Sequence, residues 1–350
     1  MKTMKKLLAA VLATVMLLGV TACGNKNDTP AADGDNTGTT STTVLKMGHV
    51  YSETYPMHLA MLAMADEVYE KTEGRYKIEI YANSSLGNES DLNEGVNIGT
   101  VDMAFTATTP LANIVPDLAC LDLPYLIQDS AHADAVFFDE SSPIRASLIN
   151  SIDSAGFKTL ALVENGFRQL YTNKKVASTA DLKGLKIRVQ DMKSQTDMMN
   201  YLGGIPVAMS YGDVYTSLQT GIIDGTENNE TALTTGKHGE VCKVYSVDQH
   251  AMIPDVLIMS EKVWKQISPE DQEIILEAAH NSTEAHKVMW DTAIEEAVKE
   301  AQETMGVEFV YDVDKEAFRE ATQPMIEAYE EQYPGVKTLM DTIEAAREGE

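Results

Sequence analysis

The arginines are the residues whose type and position point most directly to a chemistry. Before the C-terminal helices the chain has only four of them, Arg75, Arg145, Arg168 and Arg188. Arg188 lies within residues 185–189, which predict a strand buried on both faces, where a lone charge is costly unless a partner compensates it. A planar guanidinium binds a carboxylate at two points. Arg168 and Arg188 therefore indicate an anion clamp; the alternative is that each pairs with an internal Asp or Glu.

Two further segments follow predicted strands in a way that suits ligand binding. Residues 224–229 (DGTENN) come after a predicted strand at 222–225 and offer amides and carboxylates at a tight turn. Tyr211 follows a predicted strand at 205–209 and begins a helix, so its ring could line a cleft. Ligands of open α/β sheets bind beyond the carboxyl ends of the strands. The alternatives are an ordinary turn and an aromatic residue of the core.

Several classes of protein are disfavoured by what the sequence lacks. It contains no GxSxG, Walker A, GxGxxG or HExxH motif, and we therefore expect no enzyme, no cofactor and no metal site. Cys120 and Cys242 form no metal-binding pattern, which leaves a disulfide or two buried free thiols. The net charge of −27 becomes −30 without the three lysines of residues 1–22. A surface this acidic argues against nucleic-acid binding, which needs clustered Lys and Arg.

The N-terminus carries the pattern of a bacterial lipoprotein signal peptide. Three lysines precede an apolar run at residues 7–20, and small residues lead directly to Cys23. The run is shorter than the roughly 20 residues that span a bilayer. We expect a signal peptide at 1–22, acylation of Cys23 and a flexible tether at 23–43. The protein would be exported and lipid-anchored to the outer face of the bacterial cytoplasmic membrane, or lie in the periplasm; a chance Cys near an ordinary cleavage site is the alternative.

Residues 44 to the end, about 300 in number, exceed what a single core usually accommodates and predict two domains. Strands and helices alternate along them, which predicts largely parallel sheets with helices on both faces. The predicted strands are 44–50, 75–82, 101–106, 157–163, 167–173, 185–189, 205–209, 222–225, 256–259 and 307–311. The predicted helices are 57–72, 90–98, 142–152, 193–202, 211–220, about 269–305, and 315 onwards.

One predicted helix is much longer than the others. Ser268 and Pro269 mark its start, and neither Pro nor Gly follows until Gly306. A helix of about 36 residues would be about 54 Å long and could cross both domains. The alternative is two helices with a break near residues 281–282.

Five short motifs give the chain a specific resemblance. They are residues 85–89 (SLGNE), 99–104 (GTVDMA), 182–189 (LKGLKIRV), 214–220 (VYTSLQT) and 223–228 (IDGTEN). In this order they resemble the solute-binding proteins of TRAP (tripartite ATP-independent periplasmic) transporters, of the DctP type, from about residue 44 to 340. The resemblance implies an α/β, two-domain periplasmic-binding-protein-like fold with hinge strands and a long domain-crossing C-terminal helix. Domain I would comprise 44–165 with about 254–292, and domain II 166–253 with about 293–346.

The resemblance also implies which residues bind the ligand. Arg188 would form a salt bridge to the ligand carboxylate, with Arg168 lining the site, Asn228 donating or accepting a hydrogen bond, and Tyr211 packing on the ligand. Further candidates lie in the first domain: Glu89, Thr106, Ala107, Thr108, His49 and His58. Ala107 stands where sialic-acid-binding members have Glu, which argues against sialic acid, and Asn229 is a second departure from the family pattern.

By this resemblance the protein is a monomeric binding protein that captures a small carboxylate and delivers it to the small and large TRAP membrane subunits. The ligand would be a sugar acid, such as a uronate or aldonate, or a C4 dicarboxylate. Two alternatives remain at this point: a binding protein for another transporter or a sensor kinase, and an exported carbohydrate-acid enzyme.

Overall fold

A computed structural model describes residues 41–347. The predicted signal peptide, Cys23 and the tether up to residue 40 lie outside the described residues. The strands are β1 Thr43–Gly48, β2 Tyr76–Tyr81, β3 Met103–Ala107, β4 Phe157–Val163, β5 Phe167–Thr172, β6 Lys186–Val189, β7 Ile205–Ala208, β8 Gly225–Asn228, β9 Val244–Met252, β10 Asp255–Ser260 and β11 Glu308–Val310.

The α-helices include both long and single-turn elements. They are α1 Pro56–Lys71, α2 Glu89–Ile98, α3 Thr108–Leu111, α4 Ser130–Ala133, α5 Pro143–Ser154, α6 Lys193–Tyr201, α7 Val214–Thr220, α8 Thr231–Thr234, α9 Glu261–Trp264, α10 Pro269–Glu303, α11 Lys315–Gln332 and α12 Pro334–Arg347. Short 3₁₀ turns occupy Pro116–Asp122, Thr179–Leu182, Tyr211–Asp213 and His238–Glu240, and a π-turn occupies Asp134–Phe138.

The strands form two separate mixed sheets, each with its own helices. The first has the order β2-β1-β3-β10-β4 and the second has the order β11-β9-β5-β8-β6-β7. The prediction of largely parallel sheets is wrong, because β10 is antiparallel to both β3 and β4, and β5 is antiparallel to both β8 and β9. The physical reason is that β4 runs on into β5, and β9 runs on into β10, through very short connections. A strand that continues into the neighbouring sheet enters it against the direction of the parallel strands.

Two of the strand predictions need correction. The strand predicted at 222–225 lies at Gly225–Asn228 instead, because the amide of Ile222 bonds back to the carbonyl of Ser217 in a turn. β9 was not predicted at all, because its sequence VYSVDQHAM places an Asp and a His among the apolar residues. Both strands are rich in buried polar residues, so they lack the apolar pattern from which strands are predicted.

The predicted long helix is confirmed as a single element, α10, of 35 residues. Ser268 caps it by accepting a hydrogen bond from the amide of Asp271 at 3.2 Å, and Pro269 fits its first turn. No break occurs near 281–282, where Ser282 donates its hydroxyl to the carbonyl of Ala279 within the helix. α10 packs against α1 and β4 on the first sheet and against α8 beside the second sheet. It therefore crosses both parts of the fold.

The chain passes between the sheets along two neighbouring connections. Residues 164–166 link β4 to β5, and residues 253–254 link β9 to β10. Phe167 pairs with Met252 at one end of these crossings, so the two connections run side by side. Gly166 has a φ of +64°, and a Cβ there would lie 3.1 Å from the Trp290 ring of α10, so this crossing requires glycine. Such paired crossings are where a two-domain fold can hinge.

The structure decides between a disulfide and two free thiols. Cys120 and Cys242 are both buried free thiols, as the second alternative predicted.

Among residues 41–347 no helix is long and apolar enough to span a membrane. Within the same residues no cluster of His, Cys, Asp and Glu has the arrangement of a metal site.

Candidate functional site

Arg188 is a buried cation that lacks a carboxylate partner among the described residues. It lies in β6, between β7 and β8, and only 2% of its surface is exposed. Its Nε donates to the carbonyl of Met209 at 2.9 Å, whereas Nη1 and Nη2 donate to no described residue. Burial lowers the pKa of Arg188, and the neighbouring Glu227 opposes this effect. A buried guanidinium with two unused nitrogens is well suited to an anion that completes its hydrogen bonds.

Arg168 is equally buried but has an internal partner, as the alternative prediction anticipated for it. Its Nε and Nη2 donate to the two carboxylate oxygens of Glu227 at 2.5 and 2.9 Å. β5 carries Arg168 and the adjacent antiparallel strand β8 carries Glu227. Burial disfavours the charge of Arg168, but Glu227 raises the pKa of Arg168 above its ordinary value. Two hydrogen bonds to Glu227 therefore hold this guanidinium in place.

His250 and Asp248 extend this ion pair into a four-residue charge network. His250 Nδ1 lies 2.7 Å from Asp248 Oδ2, and His250 Nε2 lies 3.5 Å from Glu227 Oε2. Burial acts against protonation, but Asp248 and Glu227 raise the pKa of His250 to about 9. The pKa of Glu227 falls to about 2, because Arg168 and His250 outweigh its burial. Two positive and two negative charges cancel, so this network adds no net charge to the site beside Arg188.

The first sheet contributes a carboxylate on the opposite side. Asn88 and Asp91 cap α2 reciprocally, which places Glu89 at the first position of the helix. Glu89 Oε1 accepts a hydrogen bond from the amide of Ala107 at 3.1 Å. Burial raises the pKa of Glu89, while the Ala107 amide and then Arg188 and Arg168 act in the opposite direction. Glu89 thus lies near enough to both arginines for their charges to lower its pKa.

The predicted residues 106–108 lie at the end of β3, beside Glu89. Thr106 is fully buried, and its hydroxyl lies 3.4 Å from the carbonyl of Ala107. Thr108 donates its hydroxyl to the carbonyl of Pro254 at 2.9 Å, so it secures the second crossing between the sheets. The side chain of Ala107 is only a methyl group, and its backbone amide donates the hydrogen bond to Glu89.

Tyr211 and Asn228 come from the second sheet's side. The Tyr211 ring lies 5.7 Å from the ring of Tyr51 and 5.6 Å from the ring of His238. Burial raises the pKa of Tyr211 to about 12. Asn228 ends β8 one position after Glu227, and its Oδ1 accepts from the amide of Asn229 at 2.8 Å. Tyr211 therefore joins the two sides of the site through an aromatic contact.

His49 and His58 form a pair with each other. His49 Nε2 and His58 Nδ1 are 2.9 Å apart, and the His49 ring lies 6.4 Å from the ring of Tyr51. Burial, and then His58, lower the pKa of His49 to about 3. Burial also lowers the pKa of His58. Both rings are therefore neutral near pH 7.

Sequence reasoning missed a group of polar residues that adjoins these. Tyr51 and Tyr55 stack at 4.2 Å between ring centroids. The Tyr51 hydroxyl donates to Asp255 Oδ2 at 2.8 Å, and the Tyr55 hydroxyl donates to Asn165 Oδ1 at 2.6 Å. Asp255 and Asn165 lie at the two crossings between the sheets. The sequence feature that could have indicated this group is the pair of tyrosines, four positions apart, in the segment that contains His49 and His58.

A groove of about 690 Å³ lies outside this site, and none of the residues described above lines it. It runs between β4, α5 and α10, and acidic and basic side chains mix along it, including Asp134, Arg145 and Lys287. Lys287 already pairs with Asp134 at 3.1 Å. The groove thus lacks the uncompensated buried charge that distinguishes Arg188.

With this geometry in place, comparison with known proteins identifies the family. The model of the family DctP, described as bacterial extracellular solute-binding protein, family 7, matches residues 47–332. The chain belongs to the DctP family of TRAP solute-binding proteins. It is 31% identical over 281 residues to the 2,3-diketo-L-gulonate-binding periplasmic protein of Escherichia coli, covering 79% of this chain and 84% of that one.

Solved structures of DctP-type proteins match both sheets. A TRAP periplasmic solute-binding protein of Anaerococcus prevotii, with bound D-glucuronate, is 34% identical with a TM-score of 0.84, covering 88% of this chain and 99% of its own. The corresponding protein of Xanthobacter autotrophicus, with bound β-D-galacturonate, is 32% identical with a TM-score of 0.82, covering 86% and 99%. The two-domain α/β fold predicted from the sequence motifs is therefore confirmed.

Proposed function

We propose that this DctP-type protein is an extracytoplasmic, lipid-anchored TRAP binding protein whose ligand is a hexuronate, a sugar acid with one carboxylate. The observation that carries the proposal is the uncompensated guanidinium of Arg188. A ligand carboxylate accepting from Nη1 and Nη2 would complete its hydrogen bonds in a bidentate arrangement. Arg168 would stay beside it, fixed by Glu227, and Tyr211 would cover the ligand ring.

The charges around Arg188 favour one ligand carboxylate over two. Arg168 is already neutralised by Glu227, and His49 is neutral. On the facing side lie the carboxyl groups of Glu89 and Asp255, which suit hydrogen bonds with hydroxyl groups. Burial raises the pKa of both groups, so a further negative charge beside them is disfavoured. This distribution of charged groups disfavours a C4 dicarboxylate. It favours a ligand that has a carboxylate at one end and hydroxyl groups at the other.

Related proteins support the same ligand class. The proteins of Anaerococcus prevotii and Xanthobacter autotrophicus were solved with D-glucuronate and D-galacturonate, and the Escherichia coli relative is named for binding 2,3-diketo-L-gulonate. Each of these ligands has a single carboxylate and several oxygen groups. The described residues have the matching chemistry, since Arg188 lacks a carboxylate partner among them and Glu89 and Asp255 supply carboxyl groups on the facing side.

The proposed domains follow the two sheets. Domain I comprises 44–165 with about 254–292, and domain II comprises 166–253 with about 293–333. We place α12 with domain I, because it packs against α5 and the turn at Pro116–Asp122. The ligand would bind between the domains, and closure about the paired crossings would bury it. The domains touch in the described structure, where Asn113 Nδ2 of the first donates to the carbonyl of Asp191 in the second at 3.3 Å.

The proposed partners follow from the family. The ligand-loaded, closed protein would dock as a monomer on the small and large membrane subunits of a TRAP transporter. An acylated Cys23 and the tether that follows would keep it near these subunits on the outer face of the membrane and raise its effective concentration there.

A thermal-shift screen tests the ligand class. Purified protein is melted with D-glucuronate, D-galacturonate, an aldonate, succinate, malate and sialic acid at equal concentrations. A ligand at about 100 times its Kd stabilises the folded state by about 2.7 kcal/mol. We expect the uronates to raise the melting temperature most, and succinate and malate to have no effect. Stabilisation by the dicarboxylates alone would contradict the proposal.

A further inference from the structure

Asp255 is a buried carboxyl group with one oxygen that lacks a partner among the described residues. It begins β10, and none of its surface is exposed. Oδ2 accepts from the Tyr51 hydroxyl at 2.8 Å, but Oδ1 makes no hydrogen bond to any described residue. Buried acceptors in proteins are nearly always satisfied, so Oδ1 indicates that a further group belongs beside it.

The position of Asp255 in the sheet places this residue beside Glu89 of the candidate site. In the first sheet Asp255 stands opposite Ala107 of β3, whose amide donates to Glu89. Asp255 and Glu89 therefore both adjoin Ala107 at the end of β3. Burial, and then the charge of Glu89, raise the pKa of Asp255 to about 7, while Arg168 in the second sheet acts in the opposite direction.

Tyr51 ties Asp255 to the aromatic contact that spans the site. Its hydroxyl holds Oδ2, and its ring faces Tyr211 at 5.7 Å. This contact engages Oδ2 and leaves Oδ1 as the oxygen without a partner among the described residues. The buried amide of Asn165 also lies near this group: its Nδ2 is 3.5 Å from the Tyr51 hydroxyl oxygen, and its influence lowers the pKa of Asp255, although Oδ1 has no partner within 3.5 Å among the described residues.

We infer that Asp255 is a specificity-determining residue of this site, whose Oδ1 accepts a hydrogen bond from a hydroxyl group of the sugar acid. The inference rests on the proposed function and adds to it the recognition of the polyol end. Glu89 and Asp255 of domain I would together bind hydroxyl groups of the ligand, while Arg188 of domain II binds the ligand carboxylate. A site built to pair a hydroxyl rejects an analogue that lacks it, because the buried oxygen is then left unpaired.

The rival account is that Asp255 only orients Tyr51 and has no contact with ligand. Calorimetric titration with D-glucuronate and its 2-, 3- and 4-deoxy analogues separates the two accounts. The proteins are the wild type, Asp255→Ala, and Asp255→Asn, which keeps the side-chain shape in case the alanine variant fails to fold. Asp271→Asn is the matched control, because Asp271 is also a buried aspartate but pairs with Arg75 at the start of α10.

We expect Asp255→Ala to weaken D-glucuronate binding by about 10-fold or more, and Asp255→Asn to weaken it in the same direction. One deoxy analogue should bind the wild type weakly and lose nothing further in either variant, because the contact is already missing. Equal loss for every analogue, or no loss, would overturn the inference about Asp255. A wild-type protein that binds no uronate would overturn the proposed function as well, so the two failures are distinguishable. Asp271→Asn should bind like the wild type.

Discussion

Arg168 and Glu227 are joined by two hydrogen bonds across neighbouring strands of the second sheet, at 2.5 and 2.9 Å, and both side chains are buried. Arg188, one strand further along, has no such partner among the described residues. The two arginines therefore differ in what they can do. Glu227 holds Arg168 in place, whereas Arg188 is the arginine that, under our proposal, binds the ligand carboxylate.

Removing the Glu227 carboxylate from the charge network should lower the free energy of unfolding. Glu227→Gln leaves Arg168 buried without its neutralising charge, and breaking a buried ion pair typically costs about 3–5 kcal/mol. Chemical denaturation of the wild type and the variant measures this difference. Glu79→Gln is the control, because its partner Lys77 is more than half exposed, and little change is expected there. Equal stability of Glu227→Gln and the wild type would contradict the role of the network.

The charge network also predicts a pH dependence of stability. The pKa of His250 rises from 6.5 to about 9, so the stabilisation is fully present below pH 6.5 and is lost as the pH rises through 9. At about 1.4 kcal/mol per pH unit, the loss is at most about 3.5 kcal/mol. Denaturation curves at pH 7, 8 and 9 should show the decline in the wild type and a smaller one in His250→Gln. Parallel curves for the two proteins would show that His250 is not charged in the folded state.

The sequence predicted the regular part of the fold well and the site only in part. Hydrophobic periodicity located β1 to β7, and the cap at Ser268 located α10, because these signals are local. The partner of Arg168 was not predictable, because Glu227 lies 59 positions away and only the sheet order brings them together.

The polar elements were missed for a related reason. β8 and β9 bury charged and amide side chains, so their patterns do not resemble those of ordinary strands. Asp255 gave no signal either, since an aspartate at the start of a strand usually lies at the surface. Its role becomes visible only when Tyr51, which lies 204 positions earlier, is seen to hold it.

The lipid anchor makes a separate prediction for Cys23. If Cys23 is acylated, the mature protein should partition into detergent and be released from membranes only by it. Cys23→Ser should block processing, so the variant should retain its signal peptide and migrate more slowly on gels. Unchanged partitioning and processing of the variant would contradict the anchor while leaving the binding site untouched.

Ligand binding should close the cleft. A ligand that contacts both domains stabilises the closed arrangement by its differential affinity. Small-angle X-ray scattering should therefore show a smaller radius of gyration with saturating D-glucuronate than without it. Succinate, which the site should not bind, is the control. An identical radius with and without bound uronate would contradict a hinge at the two crossings.

The most direct test of the account is calorimetric titration of D-glucuronate into the wild type and Arg188→Lys. The ammonium keeps the positive charge but cannot reproduce the planar two-point contact. Losing one partner of a buried charge pair costs about 2–5 kcal/mol, and each 1.4 kcal/mol is about tenfold in affinity. We predict that Arg188→Lys, shown to be folded by its melting temperature, binds about 30-fold more weakly or worse, whereas Arg75→Lys binds like the wild type. A folded Arg188→Lys variant with wild-type affinity would show that the ligand carboxylate binds elsewhere.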